Sequence, residues 1–246
     1  MITTENVLII LEIIGTIAFA ISGALVAVKV RYDVFGVAVV GAITAVGGGI
    51  MRDILIGKIP PTIFSKFYII LIAIVASFIV FIVAYYKRKN FDIVKERIEQ
   101  VNNIFDAIGL AVFTVMGMQI AFENGFEENL FLCVTIALLS AVGGGLLRDV
   151  LTETQPYIFK KHIYAVAAIL GAILYYVVRY YSINTLLPSL VAVSLIIFVR
   201  FLASHYRWEL PKIQLQEQEQ AFLSEKIERE TQVTQTLEEV AVTKDD

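Results

Sequence analysis

The sequence predicts an all-α integral membrane protein of seven transmembrane helices, two inverted three-helix repeats followed by one extra helix (3+3+1). Three observations carry that expectation. Apolar residues make up 58% of the chain and charged ones 17%, against roughly 45–50% and 25% in a soluble domain. Seven segments are apolar for long enough to cross hydrocarbon ~30 Å thick, which takes ~20 residues of helix. One eleven-residue stretch occurs twice.

The segments are, to within a residue or two, 7–28, 34–56, 67–86, 104–122, 129–151, 163–181 and 185–204. The flank of the first, Met1 to Asn6, holds Glu5 and no Lys or Arg. Its apolar run also exceeds the h-region of a signal peptide, so it is expected to stay as a span. Repeat one then covers about 7–86 and repeat two about 104–181, inside a bundle of residues 1–206.

Lys and Arg set the orientation, because they accumulate in cytoplasmic loops. With the N-terminus outside, the inner loops hold Lys29, Arg31, Lys87, Arg88, Lys89, Lys95, Arg97, Lys160, Lys161, Arg207 and Lys212. The outer loops then hold only Lys58, Lys66 and Arg179, and the 123–128 loop carries Glu123, Glu127 and Glu128 without a base. The expectation is a multi-pass protein of the inner (plasma) membrane, N-terminus out and C-terminus in. Residues 207–246 turn rich in Gln, Glu, Thr and Lys with no sustained heptad. They read as a solvated cytoplasmic tail, with a partner-binding or trimer-stabilising helix as the alternative.

Several classes drop out. The net charge is −3, with ten of the 23 acidic residues in the last forty, which leaves no basic face for nucleic acid. Cys133 is alone in an apolar run, so neither a disulfide framework nor a cysteine metal site is expected. His162 and His205 fall at helix ends without ligand-spaced neighbours, so no metal or cofactor is expected. No nucleophile has a base at sensible spacing, which argues against an enzyme. Ser22, Thr44 and Ser140 read better as hydroxyls that bond helix backbone or line a polar path.

The repeat is the informative feature. Ala45-Val46-Gly47-Gly48-Gly49-Ile50-Met51-Arg52-Asp53-Ile54-Leu55 recurs as Ala141-Val142-Gly143-Gly144-Gly145-Leu146-Leu147-Arg148-Asp149-Val150-Leu151, with Pro60 and Pro156 following at equal distance. Upstream, Glu12, Gly15, Phe19 and Gly23 align with Asp106, Gly109, Phe113 and Gly117. Three spans per copy is an odd number, so the second copy enters the membrane from the opposite side. Substrate and ion sites of such folds lie near the midplane, between the repeats, at discontinuous helices.

Glycine costs roughly 1 kcal/mol against alanine inside a helix. Three in succession are therefore expected to unwind or kink spans two and five, with Gly47 to Gly49 and Gly143 to Gly145 lining a pore. The competing reading is close helix packing by small residues. Arg52, Asp53, Arg148 and Asp149 follow the glycines, and a charge at the centre of a span costs about 2.5–3.5 kcal/mol. They are expected to face the interior as pore charges or gates, toward opposite membrane faces and out of reach of each other. Glu12 and Asp106 lie at matching depth on the preceding spans, which predicts two ion pairs, Glu12 with Arg52 and Asp106 with Arg148.

The doubled Ala-x-Gly-Gly-Gly-x-x-Arg-Asp motif, Gly15-Thr16-x-Ala18-Phe19-Ala20-x-Ser22-Gly23-Ala24 and the exit Trp208-x-Leu210-Pro211 resemble the bacterial branch of the trimeric intracellular cation channels. That group was formerly an uncharacterised membrane family, also labelled a glycine transporter domain. The resemblance covers about residues 5–212 and departs at Glu12, where the family pattern has Asp. It implies a homotrimer in membrane lipid, one pore per protomer, kinks at the two glycine triplets, and conduction of K⁺ or Na⁺. The phosphoinositide site of animal relatives is not carried over, because the basic residue after the glycines is differently placed.

Two functions follow. One is a passive monovalent cation channel, in which acids near both mouths neutralise Arg52 and Arg148. The other is a facilitator for a small zwitterion such as glycine, whose carboxylate would bind helix N-termini freed at the glycine breaks.

Overall fold

The computed structural model describes residues 4–86, 91–160, 163–182, 186–206 and 208. The tail assigned to 207–246 lies outside them apart from Trp208, as do Lys87, Arg88, Lys89, Lys161 and His162. Within the described residues the helices are α1 (Thr4–Lys29), α2 (Val34–Leu55), α3 (Phe67–Tyr86), α4 (Phe91–Glu123), α5 (Leu130–Leu151), the single turn α6 (Tyr157–Lys160), α7 (Tyr164–Tyr181) and α8 (Leu186–His205). Seven of them are long and apolar enough to span a membrane. Their bounds follow the hydropathy to within three residues, except for α4. Its apolar part begins near Ile98 and its helix at Phe91, well before the expected 104. Polar residues end a hydropathy signal, yet they do not end a helix.

Caps and turns define the ends. The Asp33 side chain accepts from the Gly36 amide at 2.7 Å to open α2, and that of Asn129 accepts from Leu132 at 3.0 Å to open α5. α1, α2, α4 and α5 each close on a left-handed residue: Arg31, Gly57, Gly125 and Glu153. The amide after each one bonds back to the helix, as in Lys58 to the Asp53 carbonyl (2.8 Å) and Thr154 to the Asp149 carbonyl (2.9 Å). These are Schellman closures, and the repeats share them position for position.

In the core, α2 packs most extensively on α5, and α1 packs on both α2 and α4, while α3 packs on α1 and α2 within the first repeat. α8 lies against α7 and α4 of the second repeat. The glycine triplets sit where α2 meets α5. A Cβ on Gly48 would run into the carbonyl oxygen of Ser140, and one on Gly144 into that of Thr44, its symmetry counterpart. A Cβ on Gly143 would stand 3.1 Å from the Cα of Gly48.

The triplets do not unwind the chain: both spans stay α-helical through them. The physical reason is that Gly47, Gly48 and Gly143 to Gly145 are buried in the protein, so their backbone groups must stay paired within the helix. The helices recover the cost of glycine through the close backbone approach that only glycine permits. The third glycine of each triplet does something else. The position of its absent Cβ looks onto a guanidinium, Arg52 Nη2 at 3.6 Å from Gly49 and Arg148 Nη2 at 3.6 Å from Gly145.

Candidate functional site

Each repeat ends its long central helix in a half-site built on the Arg-Asp pair. In the first, Arg52 Nε donates to Asp53 Oδ1 at 2.9 Å, and Arg52 Nη1 lies 3.4 Å from the Ser140 hydroxyl. Asp53 Oδ2 accepts from the Thr62 amide at 2.7 Å, which fixes the loop after α2. In the second, Arg148 Nε donates to Asp149 Oδ1 at 2.8 Å, and Asp149 Oδ2 accepts from the Tyr157 amide at 2.8 Å. The aspartates therefore hold both the arginine and the following loop.

The half-sites then diverge. Arg148 is fully buried, and its Nη1 donates to Asp106 Oδ1 at 2.8 Å and to the Ser22 hydroxyl at 2.6 Å. The Ser22 hydroxyl donates to Asn102 Oδ1 at 2.8 Å, and Asn102 Nδ2 donates to the Tyr157 hydroxyl at 2.6 Å. The Tyr157 ring lies under the same guanidinium, 4.8 Å from centroid to Cζ. Burial pushes the Tyr157 phenol up to about 12, so it stays protonated at neutral pH. The expected Asp106–Arg148 pair thus forms, inside a ladder that ties α1, α4, α5 and α6 together.

The expected Glu12–Arg52 pair is replaced by another. Glu12 Oε2 binds Lys66 Nζ at 2.9 Å, while Arg52 turns to Asp53. The repeat alignment gives the reason. The counterparts of Ser22 and Asn102 are Met116 and Leu8, which offer no hydrogen bond to draw Arg52 across. Lys66, in the loop before α3, takes the acid instead.

Two separate cavities approach these half-sites. One of about 40 Å³ is lined by Glu12, Thr16, Gly49, Arg52, Lys66 and Phe113 among others. The other, about 260 Å³, is lined by Leu25, Lys29, Glu99, Asn102, Thr154 and Tyr157 among others. Lys29 and Glu99 pair across it at 3.8 Å. Along α1 the first cavity ends at Thr16 and the second begins at Leu25, a rise of about 13 Å. Phe19 and Ser22 of α1, with Asp106 and Leu110 of α4, fill that interval, and all four are buried. They form a plug.

Of the residues singled out by sequence, Arg52, Asp53 and Glu12 gather at one half-site and Arg148, Asp149 and Asp106 at the other. Gly47, Gly48, Gly143 and Gly144 serve the helix crossing, and Gly49 and Gly145 leave room beside the arginines. Sequence reasoning missed Lys66, Asn102, Tyr157, Tyr164 and Arg200. Arg200 had a signal, a charge inside an apolar span; the others depend on which helices become neighbours. Among the described residues no cluster of His, Cys, Asp and Glu is suited to a metal ion.

Comparison with known proteins agrees with this fold. Residues 9–85 and 103–180 each match the family described as glycine transporter, one match per repeat. The chain is 34% identical to the UPF0126 inner membrane protein YadS of Escherichia coli K12 over 208 residues, 84% of this chain and 96% of that protein. It is 37% identical to the UPF0126 membrane protein YvgT of Bacillus subtilis over 165 residues, 67% and 77% of the two chains. Among solved structures, a prokaryotic TRIC channel in 0.5 M KCl superposes with a TM-score of 0.74 at 34% identity, covering 84% of this chain and all of that one (100%). The TRIC trimeric intracellular cation channel orthologue from Rhodobacter sphaeroides gives 0.73 at 26% identity, over 82% and 100%. Two matched repeats, a shared fold and a third of the residues in common leave one assignment: the chain belongs to the UPF0126/TRIC family of bacterial membrane proteins.

Proposed function

We propose that this chain is a passive channel for monovalent cations, K⁺ above all, with one conduction path through each protomer of a homotrimer. The observation that carries the reading is the plug between two charged cavities, in which Arg148 occupies the place a permeating cation would take. Its guanidinium is held by Asp106, Ser22 and Asp149. When it swings aside, the same oxygens are left facing the path, and they are cation ligands. The structure then corresponds to a closed channel. The solved relatives are described as cation channels and as trimeric, which supports both the permeant class and the assembly.

The electrostatic objection to arginines in a cation path is met locally. At the first half-site Glu12 and Asp53 answer Arg52 and Lys66. The zwitterion reading needs backbone amides freed at the glycines, and continuous helices supply none. Following the loop charges, the N-terminus and the Arg52 half-site face outward, the Arg148 half-site faces the cytoplasm, and residues 207–246 form a cytoplasmic tail.

The test is flux into proteoliposomes, with K⁺ and labelled glycine run side by side. Fast, non-saturating K⁺ flux that increases in Arg148→Ala is expected. Saturable glycine uptake without K⁺ conductance would overturn the channel reading.

A further inference from the structure

The seventh span has no counterpart in the repeat, and it carries a charge that neither repeat explains. Arg200 lies within α8, is 5% exposed, and makes no ion pair among the described residues. Its guanidinium carbon stands 4.8 Å over the centroid of the Tyr164 ring. The hydroxyl of that tyrosine and Nη2 of Arg148 both border the space beside Gly145, 3.4 and 3.6 Å from where a Cβ would be. Neither atom has a hydrogen-bond partner among the described residues, and both are buried. Tyr164 therefore stacks under Arg200 of α8 and shares the space beside Gly145 with Arg148 of α5.

Comparing the halves shows what Arg200 supplies. Tyr68 is aligned with Tyr164 but is 37% exposed, because no eighth helix covers the first repeat. Lys66, which completes the first half-site, is aligned with His162, so the second repeat has no lysine or arginine at that position. Among the described residues of their own repeat, Asp106 and Asp149 are matched by Arg148 alone. Arg200 brings the second half-site to two acids and two bases, equal to the first. The two additions differ in mobility: the Lys66 side chain is 36% exposed and can leave its acid, whereas Arg200 is enclosed.

We propose that Arg200 is a positioning and selectivity-determining residue of this channel, an inference that rests on the channel reading above. Through Tyr164 it limits where the Arg148 guanidinium can go. Through its own fixed charge it raises the energy of a cation in the second half-site, in an interior that screens charge weakly. Without it that half-site carries a net negative charge and admits cations more readily.

The experiment uses the full chain in proteoliposomes, measuring K⁺ flux and the reversal potential across a KCl gradient. Arg200→Met keeps most of the volume and removes the charge, Arg200→Lys keeps the charge, and Arg200→Gln is a second neutral variant should methionine disturb packing. The neutral variants are expected to raise the K⁺/Cl⁻ permeability ratio by on the order of tenfold, with Arg200→Lys within about twofold of wild type. In detergent, Arg200→Met is expected to melt no lower than wild type, because a buried charge without a counter-ion has been removed. A lower melting temperature with an unchanged ratio would mean that Arg200 only braces α8, and would overturn the proposal. So would Arg200→Lys behaving like Arg200→Met. A wild type that passes no K⁺ would instead overturn the channel reading itself.

Discussion

Phe19 of the buried interval and Phe113, which lines the first cavity, lie face to face, ring centroids 5.2 Å apart and planes within 11°. They are the same residue of the two repeats, and each rests on a glycine of the other. A Cβ on Gly109 would run into the Phe19 ring, and one on Gly15 would stand 3.2 Å from that of Phe113. The exchange places an aromatic pair between α1 and α4, where an apolar barrier completes the plug that Arg148 begins.

This reciprocity makes Gly109→Ala an overpacking change. The Phe19 ring has no free side to move to, since it is packed against Phe113. We expect a loss of about 1–3 kcal/mol, read as a lower melting temperature in detergent. Adding Phe19→Leu to Gly109→Ala should restore most of it. If the double variant melts no higher than Gly109→Ala alone, the close approach is not what the glycine is for.

The second half-site is latched by Ser22 and Asn102, and the first lacks both. Replacing them with the residues of the other repeat, Ser22→Met or Asn102→Leu, removes one of the two partners of Arg148 Nη1, or the donor to the Tyr157 hydroxyl. A hydrogen bond to a charged group contributes about 1.5–3 kcal/mol. If that bond exists only in the closed state, losing it shifts the closed–open balance by about tenfold or more. Increased K⁺ flux in vesicles, with a trimer peak unchanged in size-exclusion chromatography, is the expected result. Unchanged flux would show that Ser22 only packs α1 against α4.

These contacts mark how far the sequence could be read. The spans and the repeat were legible because hydropathy and identity are properties of contiguous residues. The Asp106–Arg148 pair was legible because a buried charge demands a partner and the repeat fixes the depth of each. The partner of Glu12 was not, since the loop that carries Lys66 has no periodicity to reveal its course. Asn102 fell two residues before the expected start of its span, and Tyr157 in a loop, so neither looked like part of a buried network. The glycines show helix propensity overridden by packing: intrinsic preference favoured a break, and the close crossing of α2 and α5 outweighed it.

Within one triplet, adjacent glycines should respond with opposite sign. Gly48→Ala drives a methyl into the Ser140 carbonyl, and backbone cannot step aside, so a loss at or above about 3 kcal/mol is expected. Gly49→Ala meets only the end of the Arg52 side chain at 3.6 Å, and alanine improves helix propensity by about 1 kcal/mol. It should be neutral or stabilising. Gly144→Ala and Gly145→Ala should repeat the contrast in the second half. Melting curves of the four variants test it, and equal losses at Gly48 and Gly49 would contradict the packing described here.

The helix ends offer a reciprocal test of the repeat. Gly57 and Glu153 hold the same left-handed position after α2 and α5, at φ 76° and 52°. A side chain there crowds its own carbonyl, which costs roughly 1–2 kcal/mol for an L-residue. Glycine avoids that cost, at the expense of a more flexible unfolded chain. Gly57→Ala should therefore lower stability by about 1 kcal/mol, and Glu153→Gly should raise it by a few tenths to 1 kcal/mol. Both residues lie beyond the ends of the candidate spans and line neither cavity, so K⁺ flux should stay unchanged while the melting temperatures move apart. A loss at Glu153→Gly would mean that its carboxylate has a role the turn geometry does not reveal.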